Sequence, residues 1–396
     1  MKILYHCGHP LLNYRAPTGY GRHMRGIVGG YEKLGHQVSL SIAGGEGASS
    51  SSEKGEEPHI LKKSLKRIFP AILWESLKDL NGLRHNGKIE RALRQKIESE
   101  NPDLIHERVA YLHDSGVKVA KEKGIPVILE LDTPFREAKE VFEGPSLLLR
   151  RAKRMEEWML GAADGIMVVS SAIKAYYTRE YGIDEKKIMV TPNAIDPDEA
   201  RGGMPSKKKA KEAFGIDEEQ RIIGFVGSIF PYHGVDLLLK AYYELLAHFP
   251  ETVLLIVGDG EQLPELKRMA MEQEEARVIF TGKLAQEKVL DHIAAMDLAV
   301  LASSHWFNSP VKLFEYGMLG KPVLAPDVAG VRDVVEDGKD GRIMGMNEGA
   351  LLEGMKELLE DPEKAEKMGR SLQEKVMNEH TWEQRARDIL KRFGKG

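Results

Sequence analysis

Lys312 and Glu315 stand three residues apart in the stretch SSHWFNSPVKLFEYGMLGKPVLAP, residues 303–326. On a helix that spacing sets an ammonium and a carboxylate on one face. Ser309 suits an N-cap, Pro310 the first helical position and Gly320 the stop, so the pattern predicts a helix over 310–319 with Lys312 in its first turn. There the open N–H groups and the macrodipole favour an anion. A nucleotide diphosphate sugar offers the complement: phosphate oxygens for Lys312 and the helix start, a ribose diol for Glu315. The same spacing also fits a plain surface ion pair worth roughly a few tenths of a kcal/mol. The local pattern leaves both open.

Other glycines and histidines sit where ligands bind in open sheets. In GFVGSIFPYHGVDLLLKAY, Gly227, Ser228 and Gly234 bracket a loop that contains His233. Glycines at a strand's end let backbone N–H groups approach a ligand, and they equally suit a tight strand-to-helix turn. Gly258 and Gly260 follow the run VLLIVG, but Leu263 stands where a dinucleotide fingerprint needs its third glycine. With no ribose-binding acid at the right distance and no Walker lysine, the pattern argues against hydride transfer with a dinucleotide. Near the start, CGHPLLNYRAPTGYGRHM places Gly19 and Gly21 at a helix N-terminus suited to a phosphate or a sugar. His106, in PDLIHERVAYLHDSG, is expected at the C-terminal end of a strand, where a lone histidine serves either a ligand or the core. His113, farther on, is read as structural.

These residues need a scaffold, and the chain alternates short apolar runs with amphipathic segments. KILYH, QVSLSIA, DLIHE, PVILEL, GIMVVS and KIMVT come first; RIIGFVG, TVLLIVG, RVIFTG, LAVLA, PVLA and RIMG follow. That alternation predicts two parallel sheets covered by helices, and 396 residues exceed what one core normally supports. TPNAIDPDEARGGMPSKKK, with Pro, Gly and charge and no apolar period, reads as the linker over 192–208.

A formal net charge of −4 gives no footprint for nucleic acid. Cys7 is the single cysteine, so neither a disulfide framework nor a zinc cluster is expected. Without a long apolar run or a signal-peptide pattern, the expected location is the cytoplasm. One insertion departs from the scheme. The polar EGASSSSEKGEEP precedes ILKKSLKRIFPAILWESLKDL, where Lys62, Lys63, Lys66 and Arg67 alternate with Leu61, Leu65, Ile68, Phe69 and Trp74. LLLRRAKR, residues 147–154, repeats the combination. Residues 61–80 and 147–154 thus suit either peripheral contact with an anionic membrane or core-facing helices with solvated basic edges.

Together the motifs TGYGRHMRGIVGGYEKLGHQV, MVVSSAIKAYY, IMVTPNAID, GFVGSIFPYHGVDLLLKAY, LLIVGDG, VIFTGKL and SPVKLFEYGMLGKPVLAPDVAGVRDVVEDGKDGRI resemble those of family 4 glycosyltransferases. The resemblance covers nearly the whole chain. It implies the GT-B α/β fold: two Rossmann-like, doubly wound domains facing a central cleft. Residues 1–191 would form the acceptor side and 209–375 the nucleotide-sugar side. Residues 376–396, with Trp382, would cross back to the first domain.

The implied activity is metal-independent, retaining transfer of a hexose-type sugar from a UDP- or GDP-sugar to a hydroxyl of a glycan, lipid-linked or small-molecule acceptor, with no further cofactor. By the same resemblance Glu315 meets the ribose and Lys312 the diphosphate. Gly19 approaches the donor phosphate, His106 lies near the donor sugar, and the backbone around Gly282 and Leu284 holds the base. Gly227, Ser228, His233, Gly258, Asn308 and Ser309 complete the expected donor-binding set, with His106, Lys312 and Glu315 as the catalytic residues. Phe307 stands where the family carries a second glutamate, and Ser228 and His233 replace the usual Arg and Lys of the phosphate loop. Two alternatives stand beside this reading: a non-catalytic nucleotide-sugar-binding scaffold, motivated by Phe307, and an epimerase of the same fold.

Overall fold

The computed structural model describes residues 1–47, 70–201, 206–273 and 276–394. The chain divides into two compact units, Met1–Thr191 with Trp382–Gly396, and Pro192–Thr381. The first runs β1 (Lys2–Cys7), α1 (Gly19–Lys33), β2 (Gln37–Ile42), α2 (Ala71–Glu100), β3 (Leu104–Arg108), α3 (Ser115–Lys123), β4 (Val127–Leu131), α4 (Phe135–Phe142), α5 (Leu149–Ala162), β5 (Gly165–Val168), α6 (Ser171–Tyr181) and β6 (Ile188–Val190). The second opens with the short helices α7 (Asp198–Arg201) and α8 (Lys207–Ala213). It continues through β7 (Arg221–Val226), α9 (Val235–Leu245), β8 (Thr252–Val257), α10 (Leu263–Met271), β9 (Val278–Gly282), α11 (Gln286–Ala295) and β10 (Leu298–Val300). It closes with α12 (Val311–Met318), β11 (Val323–Pro326), α13 (Ala329–Arg332), β12 (Arg342–Met344), α14 (Glu348–Glu360) and α15 (Pro362–Glu379). The final helix, α16 (Trp382–Phe393), belongs to the first unit.

Every expected apolar run is a strand, and each unit holds one parallel sheet of six strands. The orders are β2-β1-β3-β4-β5-β6 and β12-β11-β10-β7-β8-β9. The second is the doubly wound order in which the chain first steps one way from β7 and then restarts on its other side at β10. Alternation along the strands feeds two cores, one per sheet face. Ile222, Val226, Val253, Leu255 and Val257 enter one core, while Ile223, Phe225, Leu254 and Ile256 enter the other. Helix starts follow their caps: Thr18, Ser170, Asn347 and Asp361 accept N–H bonds from the first turns of α1, α6, α14 and α15.

Residues 61–69 of the basic stretch lie outside the described residues. Its described part, the start of α2, turns acids inward: buried Glu75 and Asp79 hold the buried Lys139 ammonium of α4 at 2.9 and 3.1 Å. Leu73, Leu77 and Leu80 face solvent instead.

Candidate functional site

In an open α/β sheet, ligands settle outside the carboxyl ends of the strands, where the winding reverses. In the second unit that point lies between β7 and β10, which pair directly through Leu298 and Ile223. The loop after β7, residues 227–234, and the loop after β10, residues 301–310, come into close contact there. A Cβ placed on Gly234 would stand 2.8 Å from Ser303 Cβ, and Gly234 holds φ +64, so only glycine fits.

Helix α12 leaves this edge carrying Lys312 and Glu315. Lys312 Nζ donates to Glu315 Oε2 at 2.7 Å, and Glu315 is fully buried while Lys312 keeps a side-chain exposure of 24%. Gln286 Nε2, at the first turn of α11, donates to the other carboxylate oxygen at 3.2 Å. The expected cap needs correction. Pro310 is the capping residue, the helix begins at Val311, and no side chain caps it. Ser309 is engaged elsewhere, since its hydroxyl accepts from Asn193 N–H at 3.1 Å and its carbonyl accepts from Asn193 Nδ2 at 2.7 Å. Asn193 and Gln286 therefore brace the site, yet neither spacing nor period singles them out.

Aromatic rings line the two loops. His305 stacks on Phe307 with centroids 5.2 Å apart and planes 3° apart, and Tyr232 lies 4.7 Å from His305 and 4.3 Å from His233. Phe307 is buried, so the position expected to carry a glutamate is an apolar floor beneath His305. Burial, and then His305, lowers His233 to about 4, so at neutral pH it is a neutral ring that can donate one hydrogen bond.

The glycines divide by what occupies their N–H groups. Gly227 N–H is taken by the Val257 carbonyl at 3.0 Å and Gly258 N–H by the Gly282 carbonyl at 3.1 Å. These bonds knit the ends of β7, β8 and β9 together, as a tight turn after β7 requires, and a Cβ on Gly258 would run into the Gly227 carbonyl. Gly282, at φ +70, has open space where a side chain would project. The Leu284 side chain packs on the core. Ser228 is exposed and Asn308 half-buried on the same edge, with the Asn308 carbonyl pressed against Gly330.

In the first unit, Gly19 is the first residue of α1, exposed and with nothing within 4 Å of where a Cβ would stand. His106 differs from its expected place. It sits in the middle of β3, not at its end, and is wholly buried. Its Nε2 lies 3.0 Å from Glu130 Oε2, and with the ring proton there its Nδ1 accepts from Tyr31 O–H at 2.9 Å. Glu130 also accepts from Tyr5 O–H at 3.1 Å, meets His23 Nε2 at 3.1 Å and pairs with Arg108. The strand continues past His106 because Glu107 and Arg108 are also buried with partners, Glu107 accepting Gly116 N–H at 3.3 Å. Among the described residues no group of three or more His, Cys, Asp or Glu side chains could hold a metal ion.

The fold recurs in solved structures. HepE from Anabaena, in complex with UDP, matches with a TM-score of 0.72 at 18% identity, covering 99% of each chain. Sucrose-phosphate synthase from Thermosynechococcus elongatus matches at 0.71 and 18%, covering 99% of this chain and 98% of that one. The fold is that of the GT-B glycosyltransferases. Residues 17–199 match the Glycosyltransferase Family 4 model and residues 206–375 the Glycosyl transferases group 1 model, and the chain belongs to the family 4 glycosyltransferases. The 2-deoxystreptamine glucosyltransferase of Streptomyces kanamyceticus is 29% identical over 211 residues, 52% of this chain and 54% of the relative. D-inositol 3-phosphate glycosyltransferase 2 of Catenulispora acidiphila is 29% identical over 283 residues, 67% of this chain and 65% of the relative. The matched stretches thus span between about half and two-thirds of these relatives' own lengths.

Proposed function

We propose that the protein transfers a hexose-type sugar from a nucleotide diphosphate sugar to an acceptor hydroxyl with retention of configuration. The observation that carries this reading is the Lys312–Glu315 pair one turn into α12, at the winding reversal of the second sheet. The bond between the anomeric carbon and the β-phosphate oxygen breaks, so negative charge grows on that oxygen. Lys312 and the start of α12, which no side chain caps, are suited to meet it, and His233 can add a neutral donor. The acceptor oxygen bonds the anomeric carbon on the same face, and its proton passes to the departing phosphate. No side-chain base is needed for that balance. Glu315, held by Gln286 and Lys312, is suited to accept from a ribose diol. HepE has been solved with UDP-glucose, which favours a uridine donor here. The His305 ring, backed by buried Phe307, offers a flat face for the sugar.

Lys312→Ala should lower kcat/KM by about a hundredfold or more, the usual cost of removing one electrostatic stabiliser of a developing oxyanion. Glu315→Gln should chiefly raise KM for the donor. Unchanged kinetics in both variants would end this assignment. Slow donor hydrolysis without acceptor separates an enzyme from a scaffold, and recovery of an isomerised donor would mark an epimerase.

A lipid-linked acceptor is part of the proposal. Exposed Leu73, Leu77 and Leu80 adjoin exposed Leu147, whose N–H is held by Ser76 at 2.9 Å, and Arg150, Arg151 and Arg154 follow on α5. Flotation with acidic liposomes should carry the protein upward; protein left at the bottom removes the membrane from the reading.

A further inference from the structure

The other edge of the second sheet, where its strands begin, holds a cavity of about 190 Å³. Arg221 enters it from the start of β7, Lys321 from the turn before β11, Lys207 from α8 and Arg370 from α15. Two carboxylates, Asp297 and Glu366, face the same space.

Those carboxylates are already engaged. Asp297 is shared by Lys207 and by Lys211, the latter at 2.9 Å, and Glu366 lies 3.5 Å from Arg370. Lys321 and Arg221 bond carbonyls instead: Lys321 Nζ donates to Ala294 O at 2.6 Å and Met296 O at 3.0 Å, and Arg221 donates to Leu359 O. A carbonyl satisfies an N–H but carries no net charge, and among the described residues neither cation has a carboxylate of its own. For Lys321, only 9% exposed, that is costly.

The turn that carries Lys321 is also held in place. Helix α15 lies against its turn so closely that a Cβ on Gly369 would come within 2.8 Å of the Lys321 carbonyl carbon. Burial, and then Lys207, lowers Lys321 to about 8, the direction a bound anion would reverse. The volume is smaller than the roughly 300–1,000 Å³ of sites for drug-sized ligands.

We propose that this cavity binds a small phosphorylated ligand, its phosphate against Lys321 and Arg221 with Lys207 and Arg370 at the mouth. The group could arrive as inorganic phosphate or as a phosphomonoester with a compact organic part. This site is separate from the sugar-transfer reading and stands or falls without it.

The test is calorimetric titration of the full chain with inorganic phosphate and, in parallel, glycerol phosphate. At least one should bind saturably below ~10 mM, and Arg221→Gln should weaken it about tenfold or more while leaving UDP binding unchanged. The tighter of the two anions identifies the source. Arg370→Glu, at an exposed position, repeats the test should Arg221→Gln fail to fold. Absence of saturable binding by either anion overturns the proposal. So does binding that survives both variants, or that disappears instead in Lys312→Gln, since the anion then sits at the start of α12.

Discussion

Burial alone would push the Glu130 carboxyl upward, but His23, Arg108 and His106 around it outweigh that and hold it well below its ordinary 4.5. A depressed carboxylate adds stability that is fully present above 4.5 and is lost as pH falls toward its folded value. Glu130→Gln leaves the buried Arg108 guanidinium with Asp132 as its remaining carboxylate, so urea denaturation at pH 7 should show a loss of about 1–3 kcal/mol. The gap to the parent should narrow in acid, and equal stabilities at pH 7 would refute the account. Glu107, one residue past His106, has the opposite sign. Burial raises it to about 8, against the N–H groups of Gly116 and Val117 that favour its charged form. Its fold therefore prefers the proton, and the parent is penalised increasingly as pH climbs from 4.5 to about 8. Glu107→Gln keeps an acceptor for Gly116 and should raise stability by about 1–3 kcal/mol, more at pH 8 than at pH 5. A gain independent of pH would show that titration is not its cause.

Between elements, glycine decides the closest approach. Helix α16 lies in a notch on α1, where a Cβ on Gly26 would enter the Trp382 ring and one on Gly30 would strike the Trp382 carbonyl; the Phe393 ring fills the same kind of space over Gly165. Gly30→Leu should therefore lift α16, cost about 1–3 kcal/mol or more, and open the C-terminus to proteolysis; an unchanged cleavage pattern would argue that the notch is compliant. The strands are legible in the sequence because parallel strands are buried on both faces and read as unbroken apolar runs. His106 reads as lying too near its strand's end because Glu107 and Arg108 interrupt that run. Their compensation comes from Gly116 on α3 and from Glu130 and Asp132 around β4, which no local window contains. The start of α12 is misread for a related reason. Ser309 has the composition of a cap, but its hydroxyl is claimed by Asn193, far away in sequence. Lys312 and Glu315 are legible from spacing, whereas Gln286, which holds the far oxygen of Glu315, is not.

For the molecule as a whole, the two units differ in how the chain enters them. The second is a single stretch, Pro192–Thr381, and its two ends are fastened together: Ile195 bridges Thr381, and Ile195 N–H donates to the His380 carbonyl at 3.0 Å. It holds its own sheet, both cores and every residue proposed here to meet the nucleotide or brace its site: Asn193, His233, Gln286, Lys312 and Glu315. Residues 192–381 expressed alone should unfold in one cooperative transition and be stabilised by UDP, by about 2.7 kcal/mol at a hundred times Kd, but transfer no sugar. The first unit is discontinuous, and cutting the chain at Thr191 strips α16 from the α1 notch and leaves Met24, Ile27 and Val28 without Ala386 and Ile389 in their shared core. Residues 1–191 should therefore be markedly less stable than the same unit within the full chain, and adding residues 382–394 back as a peptide should restore part of the loss. A 192–381 piece that melts cooperatively but ignores UDP, while the full chain binds it, would move the nucleotide site away from α12.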